Sequence, residues 1–117
     1  QFNIESEEEG RELAAIAEVC RTRGITIISD EIYHGISYDM GTPSILEVAP
    51  DALVVNSFSK YWSMAGWRLG WLVVPDSGID AARARMGNLF LTPPSLAQHA
   101  GLVAMDCTAD LQANIAT

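Results

Sequence analysis

The spacing of apolar residues changes repeatedly along the chain, and each change falls near a turn residue. A helix is predicted from Ser6 to Gly24. Ser6 with Glu9 forms a candidate capping box at its start, and its apolar stripe consists of Leu13, Ile16, Ala17 and Cys20. Two short, nearly continuous apolar runs follow, at 25–29 and 52–58. Runs of this kind are typical of strands that are buried on both faces.

The remaining pattern adds a third strand and three more helices. A strand is predicted at 69–74, where a proline ends it. A short helix is predicted at 43–49, and longer helices at 78–91 and from 95 to the C-terminus. A Thr-Pro-Pro run separates the last two, because a helix cannot continue through it. Alternating strands and helices predict an α/β fold.

Composition limits the function classes. The chain has 117 residues, 7 Lys and Arg against 15 Asp and Glu, and a net charge of −8. The basic residues do not cluster, so nucleic acid is not an expected partner. No apolar run is long enough for a membrane span, and we expect a cytoplasmic protein. Cys20 and Cys107 have no metal-like spacing and are interpreted as buried, reduced thiols. Both ends run into helical patterns, so we expect a piece of a longer protein.

Polar residues gather where the predicted strands end. Asp30 closes the first strand, Ser57 and Lys60 close the second, and Arg68 opens the third. Tyr33 follows one turn after Asp30. If the first two strands are parallel neighbours, these groups converge at one edge of the sheet, where ligands bind in open α/β folds. Together they could hold a molecule with a cationic ring nitrogen, a phenolate, an aldehyde and a phosphate.

Each of these residues also has an ordinary structural interpretation. Lys60 could be a surface lysine, Arg68 a salt-bridge partner and Asp30 a turn residue after a strand. His34 is interpreted as a surface or substrate-channel residue without a catalytic part. Glu31 does not form a catalytic carboxylate pair with Asp30, since adjacent residues at a strand end point in opposite directions.

Two segments carry a resemblance to a known family. "SDEIYHGISYD" and "NSFSKYWSMAGWRLGW" resemble the signature stretches of the fold-type I, pyridoxal-phosphate-dependent aminotransferases of class I/II, and the similarity covers most of the chain. The resemblance implies that residues 1–117 are the central part of a large domain with a three-layer, mostly parallel sheet. The N-terminal part of that domain and the small domain would lie outside this sequence.

The resemblance also implies a role for each of these residues. It implies that Lys60 forms the internal aldimine with pyridoxal 5'-phosphate and that Asp30 pairs with the pyridinium nitrogen. Tyr33 would hydrogen-bond the phenolic oxygen of the ring. The phosphate would be held by three further residues: Ser57, Ser59 and Arg68. The aromatic neighbours of Lys60 fit this role, because desolvation makes a lysine amine a better nucleophile.

The implied activity is transfer of an amino group from an amino acid to a 2-oxo acid, in a homodimer. Two alternatives stay open at this point. The same lysine could serve a pyridoxal-phosphate-dependent lyase on the same fold, catalysing elimination, decarboxylation or ring closure. Alternatively, the chain could belong to the aminotransferase-like sensor domain of a transcription regulator, which an upstream basic helix-turn-helix segment would reveal.

Overall fold

A computed structural model describes residues 4–36 and 41–115 of the chain, with side chains from residue 7 onward. The three strands form one sheet, and helices precede, separate and follow them. In chain order the helices and strands are α1 (Ile4–Arg23), β1 (Ile28–Asp30), a 3-10 turn (Ile45–Glu47), β2 (Leu53–Ser57), a 3-10 turn (Ala65–Trp67), β3 (Gly70–Val73), a 3-10 turn (Asp76–Gly78), α2 (Ile79–Leu89), α3 (Ser95–Ala104) and α4 (Thr108–Ile115).

Helix α1 ends as predicted but begins earlier. Gly24 adopts a left-handed conformation (φ 63°) and donates its N–H to the carbonyl of Arg21 at 3.3 Å, which terminates the helix. The predicted cap at Ser6 is wrong, because the helix already begins at Ile4. The predicted apolar stripe is only partly buried: Ala17 is 8% exposed, whereas Ile16 is 55% exposed.

The sheet has the order β1-β2-β3. Strands β1 and β2 are parallel, with Asp30 opposite Val55, as the sequence predicted. Strand β3 runs antiparallel to β2, with Leu72 opposite Val55 and Gly70 opposite Ser57. The carboxyl ends of β1 and β2 therefore meet at one edge, and β3 begins at that same edge.

One face of the sheet is covered and the other is open. The core forms around Val54 and Ala52 of the β2 region and Ile45 of the first 3-10 turn, with α1 packed against it. On the opposite face Ile28 is 69% exposed and Leu72 is 43% exposed. The prediction of strands buried on both faces is therefore wrong for the described residues, since their helices supply a covering layer on one face only.

The C-terminal helical pattern divides into α3 and α4. A single helix was predicted from residue 95 onward, but the chain leaves the helix after Ala104 and re-enters at Thr108. The break contains Asp106 and Cys107 and is followed by Thr108, three weak helix formers in a row. Helix α3 packs closely on Leu69, the residue just before β3, since a Cβ at Gly101 would lie 2.6 Å from a Leu69 methyl group.

The structure tests what was predicted for the two cysteines and for membrane-spanning helices. Cys20 and Cys107 are both free, but they are half-buried, so the expectation of fully buried thiols is wrong. Cys107 lies at the break between α3 and α4, where its thiol donates to the carbonyl of Val103 at 3.4 Å. Among the described residues, none of the helices is long and apolar enough to cross a membrane.

Candidate active site

Asp30 and Ser57 lie on the same, open face of the sheet at the carboxyl ends of β1 and β2. Asp30 is opposite Val55, and Ser57 follows Val55 by two residues, so alternation places the three side chains on one face. The Asp30 carboxylate is exposed and accepts one hydrogen bond, from the backbone N–H of Ile32 at 3.3 Å. This bond starts the turn that carries Tyr33.

Lys60 and Tyr33 come from different turns and approach each other. The Lys60 Nζ lies 5.2 Å from the centroid of the Tyr33 ring, within the range of a cation–π contact. Lys60 is the only lysine of the chain. Both side chains are exposed, Tyr33 by 60%. The expected desolvation of Lys60 is therefore absent in this chain, because the adjacent sheet face is open.

A pair of serine hydroxyls closes the end of β2. The Ser57 Oγ lies 2.8 Å from the Ser59 Oγ and 3.3 Å from the carbonyl oxygen of Leu69, and it accepts a hydrogen bond from the Ser59 backbone N–H at 3.0 Å. Strand β3 comes close here because its first residue is glycine: a Cβ at Gly70 would lie 2.6 Å from the carbonyl oxygen of Asn56. The two hydroxyls are thus fixed beside the start of β3.

Arg68 lies immediately before this contact, at the end of the second 3-10 turn. The sequence suggested that Arg68 opens the third strand, but β3 begins two residues later, at Gly70. The Arg68 backbone is left-handed (φ 51°, ψ 47°), which costs a non-glycine residue about 1–2 kcal/mol. The exposed guanidinium donates to the carbonyl of Ala65 at 3.1 Å. Strain of this kind is concentrated at functional sites.

Glu31 is a buried carboxylate that anchors the segment around Ser44, a role that was not predicted from the sequence. Its side chain accepts hydrogen bonds from the Ser44 hydroxyl at 3.0 Å and the Ile45 backbone N–H at 2.9 Å, and the His34 Nδ1 lies 3.2 Å away. The predicted divergence of Asp30 and Glu31 is confirmed, since Glu31 is only 6% exposed. The signal that could have found this anchor is the Ser-x-x-Glu at 44–47, a capping box that the structure contains.

A second missed feature joins the turn after β1 to the turn after β2. Gly35 has a φ of 91°, and a Cβ there would lie 2.6 Å from the Cδ2 atom of Tyr61. The Tyr61 hydroxyl accepts a hydrogen bond from the Gln112 side chain of α4 at 3.0 Å. Tyr61 follows Lys60 directly, and Gly35 follows Tyr33 by two residues. The sequence offers only the glycine itself as a signal for this contact.

Two cavities lie beside α1. One of about 270 Å³ is bounded by α1, Asp30 and Glu31. The other, about 370 Å³, lies at the opposite end of β1 and is lined by Glu18 and Arg21 of α1. There, the hydrogen bond from Arg21 lowers the pKa of Glu18, and the same bond raises the pKa of Arg21. This larger cavity lacks the polar groups of the strand ends, so we place the candidate site at the carboxyl edge instead.

The donor set at this edge fits pyridoxal phosphate. Asp30 offers an exposed carboxylate to a cationic ring nitrogen, and Tyr33 offers a phenol. The hydroxyl pair and the nearby Arg68 guanidinium offer hydrogen-bond donors suited to phosphate oxygens. Lys60 offers an amine for an aldehyde. Asp30 and Ser57 lie on the open face of the sheet, and Tyr33, Lys60 and Arg68 are exposed to solvent.

The fold and this edge match part of the large domain of a pyridoxal-phosphate-dependent transferase. More specifically, the chain belongs to the family "Aminotransferase class I and II", whose family model matches residues 10–116. The expectation from the signature segments is thereby confirmed at the level of the family, which is known to use pyridoxal phosphate.

Individual relatives agree with this assignment. A valine–pyruvate aminotransferase of Mycobacterium tuberculosis is 44% identical over 91% of this chain. An aspartate aminotransferase of Sulfolobus acidocaldarius is 34% identical over 92% of it. In both cases the chain spans 28% of the relative's length.

Solved structures extend the likeness to three dimensions. An aminotransferase from M. tuberculosis superposes with a TM-score of 0.83 at 43% identity, covering 91% of this chain and 30% of that one. The aspartate aminotransferase from Thermus thermophilus with maleate gives a TM-score of 0.79 at 31% identity, covering 88% and 27%. The predicted fold class is thereby confirmed.

Proposed function

We propose that this chain supplies the cofactor-binding centre of an aminotransferase that moves an amino group from an amino acid to a 2-oxo acid. The observation that carries the proposal is the meeting of Lys60 and Tyr33, 5.2 Å apart, beside the carboxyl ends of two parallel strands. The strand ends bring an amine, a phenol and the Asp30 carboxylate to one edge. A fold of this kind binds its ligands at that edge.

Lys60 is the proposed attachment point of pyridoxal phosphate. When bound, the cofactor supplies an electron sink for chemistry at the substrate α-carbon. The Lys60 amine holds the cofactor covalently in the resting protein. Once free, the amine accepts the proton from the substrate α-carbon and later returns it, as a general base and then a general acid. A flexible four-carbon stem allows the same Nζ to serve both purposes.

Asp30 and Tyr33 are the proposed partners of the cofactor ring. The Asp30 carboxylate is free to accept, because its one observed hydrogen bond is a weak one to the Ile32 N–H at 3.3 Å. An ionised carboxylate stabilises a protonated ring nitrogen, and a protonated ring withdraws electrons more strongly. Tyr33 donates from its phenol and, with its ring face, stabilises the nearby ammonium of Lys60.

The phosphate is proposed to bind between the serine hydroxyls and Arg68. The hydroxyls of Ser57 and Ser59 are already fixed by each other and by the start of β3. Arg68 presents a planar fork whose geometry matches phosphate oxygens. The guanidinium donates to the neutral carbonyl of Ala65, so exchange of this contact for a phosphate would gain a charged partner.

The names of the relatives favour transamination over the two alternatives. The family and the relatives described above are named aminotransferases. Transamination is therefore the first hypothesis, ahead of a lyase activity or a sensor domain. The proposal includes amino-acid and 2-oxo-acid substrates and a homodimer, as the resemblance implies, together with the cytoplasmic location expected from the length of the apolar runs. It places this chain within a longer protein whose other parts complete the site.

The test is chemical mapping of the cofactor in a full-length protein that contains this chain. Borohydride reduction traps the cofactor on its lysine, and peptide mass mapping should find the pyridoxyl group on Lys60. The Lys60→Arg variant should lose the label and the visible absorption of the bound cofactor. A pyridoxyl group on a different lysine in the wild-type protein would overturn the assignment.

A further inference from the structure

We propose that Tyr61 is a positioning residue, whose ring sets the separation between the turn that carries Tyr33 and the turn that carries Lys60. The inference deepens the proposed function and rests on it. Its physical basis is a close contact: the Tyr61 ring packs on Gly35, where a Cβ atom would be only 2.6 Å from Cδ2 and 3.0 Å from Cε2.

The ring is held from three sides. Its edge contacts Trp62 in a T-shaped arrangement, with centroids 4.8 Å apart and planes at 85°. Trp62 is itself fixed by two further aromatic contacts, with Phe58 and Trp71. The Tyr61 hydroxyl accepts a hydrogen bond from Gln112 at 3.0 Å. A side chain with so few rotatable bonds and three fixed neighbours has little freedom to shift.

Both sides of the contact lead directly to the candidate site. Gly35 is two residues from Tyr33, and Tyr61 is bonded to Lys60. The Lys60 turn is closed by a hydrogen bond from the Ser63 N–H to the Lys60 carbonyl at 2.9 Å, so the residues of this turn move together. A thinner or more flexible side chain at position 61 would let the two turns slide past each other, so that the Lys60 Nζ moves off the face of the Tyr33 ring. The distance from the Lys60 Nζ to the Tyr33 ring would then change.

The first measurement needs no cofactor. In the cofactor-free, full-length protein, Lys60 is acylated with a trace of acetic anhydride at fixed pH, and its rate is read by peptide mass mapping. Tyr61→Leu and Tyr61→Met should raise the Lys60 rate by about two- to fivefold, because the Tyr33 ring then stabilises the unreactive ammonium less. Met has about the same volume as Leu, but its unbranched side chain adapts to irregular gaps, so Tyr61→Met remains informative if Tyr61→Leu does not fold.

Two controls separate positioning from simple stability. Val54→Ala removes part of the buried core far from the contact, so it should lower the melting temperature without changing the Lys60 rate. Tyr61→Phe keeps the ring against Gly35 and loses only the Gln112 bond, so its Lys60 rate should stay close to wild type. A wild-type rate in both Tyr61→Leu and Tyr61→Met, or an equal rise in Val54→Ala, would overturn the inference.

A second measurement follows the cofactor itself. The apparent Kd for pyridoxal phosphate, read from visible absorption, should rise in Tyr61→Leu and Tyr61→Met and stay unchanged in Tyr61→Phe. If wild-type protein carries no cofactor on Lys60, the proposed function fails, while the acylation rates still decide the role of Tyr61. If wild-type protein binds the cofactor and all variants bind it equally, the positioning role fails and the function stands.

Discussion

The carboxylates of Asp30 and Glu31, although adjacent in the chain, leave the end of β1 on opposite sides of the sheet. Asp30 is exposed at the candidate site, whereas Glu31 is 6% exposed and accepts hydrogen bonds from Ser44 and Ile45, with the His34 Nδ1 3.2 Å away. One carboxylate is therefore free to bind a ligand, and the other holds the following segment against the strand. Substitutions that remove each charge should have separable effects.

Asp30→Asn should impair chemistry without loosening the fold. The side chain makes one weak hydrogen bond, so the free energy of unfolding should change by less than about 0.5 kcal/mol. Losing a charged hydrogen bond worth about 3 kcal/mol slows a reaction on the order of 100-fold. The measurement is the single-turnover rate of amino-group uptake in the full-length protein, with the visible cofactor absorption as the control for binding. A near-normal rate with intact absorption would make Asp30 an ordinary turn residue.

Glu31→Gln should show the opposite pattern. The amide replaces one acceptor oxygen by a donor in a buried position where the Ser44 hydroxyl and the Ile45 N–H both donate. A lost acceptor for buried donors costs about 1–3 kcal/mol. The denaturant midpoint of the full-length protein should fall accordingly, measured beside Asp30→Asn as the matched variant. Equal stability of the two variants would show that Glu31 does not anchor the segment.

Gly35→Ala should destabilise the protein, because φ at this position is 91° and the new methyl group meets the Tyr61 ring. The left-handed backbone alone costs about 1–2 kcal/mol for a residue with a Cβ. Gly10→Ala is the matched control: Gly10 lies within α1, and a Cβ there has no heavy atom within 4 Å. That change should stabilise by about 0.5–1 kcal/mol. The measurement is the melting temperature of both variants. An unchanged melting temperature in Gly35→Ala would mean that the Tyr61 ring moves aside at little cost.

The chain of 117 residues expressed alone should self-associate and should not transaminate. Its open sheet face presents Ile28, Val55 and Leu72 at 69%, 37% and 43% exposure, and such apolar faces drive association. Light scattering coupled to size-exclusion chromatography should detect oligomers or aggregates. The double variant Ile28→Thr/Leu72→Thr should associate less, because threonine is polar but still favours strands. A monodisperse, active monomer would contradict this prediction.

The sequence by itself determined the local features of this protein. The three strands, the left-handed stop at Gly24 and the opposite directions of Asp30 and Glu31 follow from periodicity and residue type, which act over a few neighbouring positions. The signature segments also placed the family correctly. Periodicity failed at the start of α1 and at the break before Thr108, where helical and turn preferences compete within one or two residues.

Only the tertiary structure decided how the separate segments meet. No local pattern shows that one face of the sheet stays open, since that depends on where helices pack. The same holds for the Glu31 anchor to Ser44 and for the Tyr61 ring on Gly35, which join residues far apart in sequence. These contacts depend on shapes brought together by the whole fold. They also decide that Lys60 is exposed here and lies 5.2 Å from the Tyr33 ring.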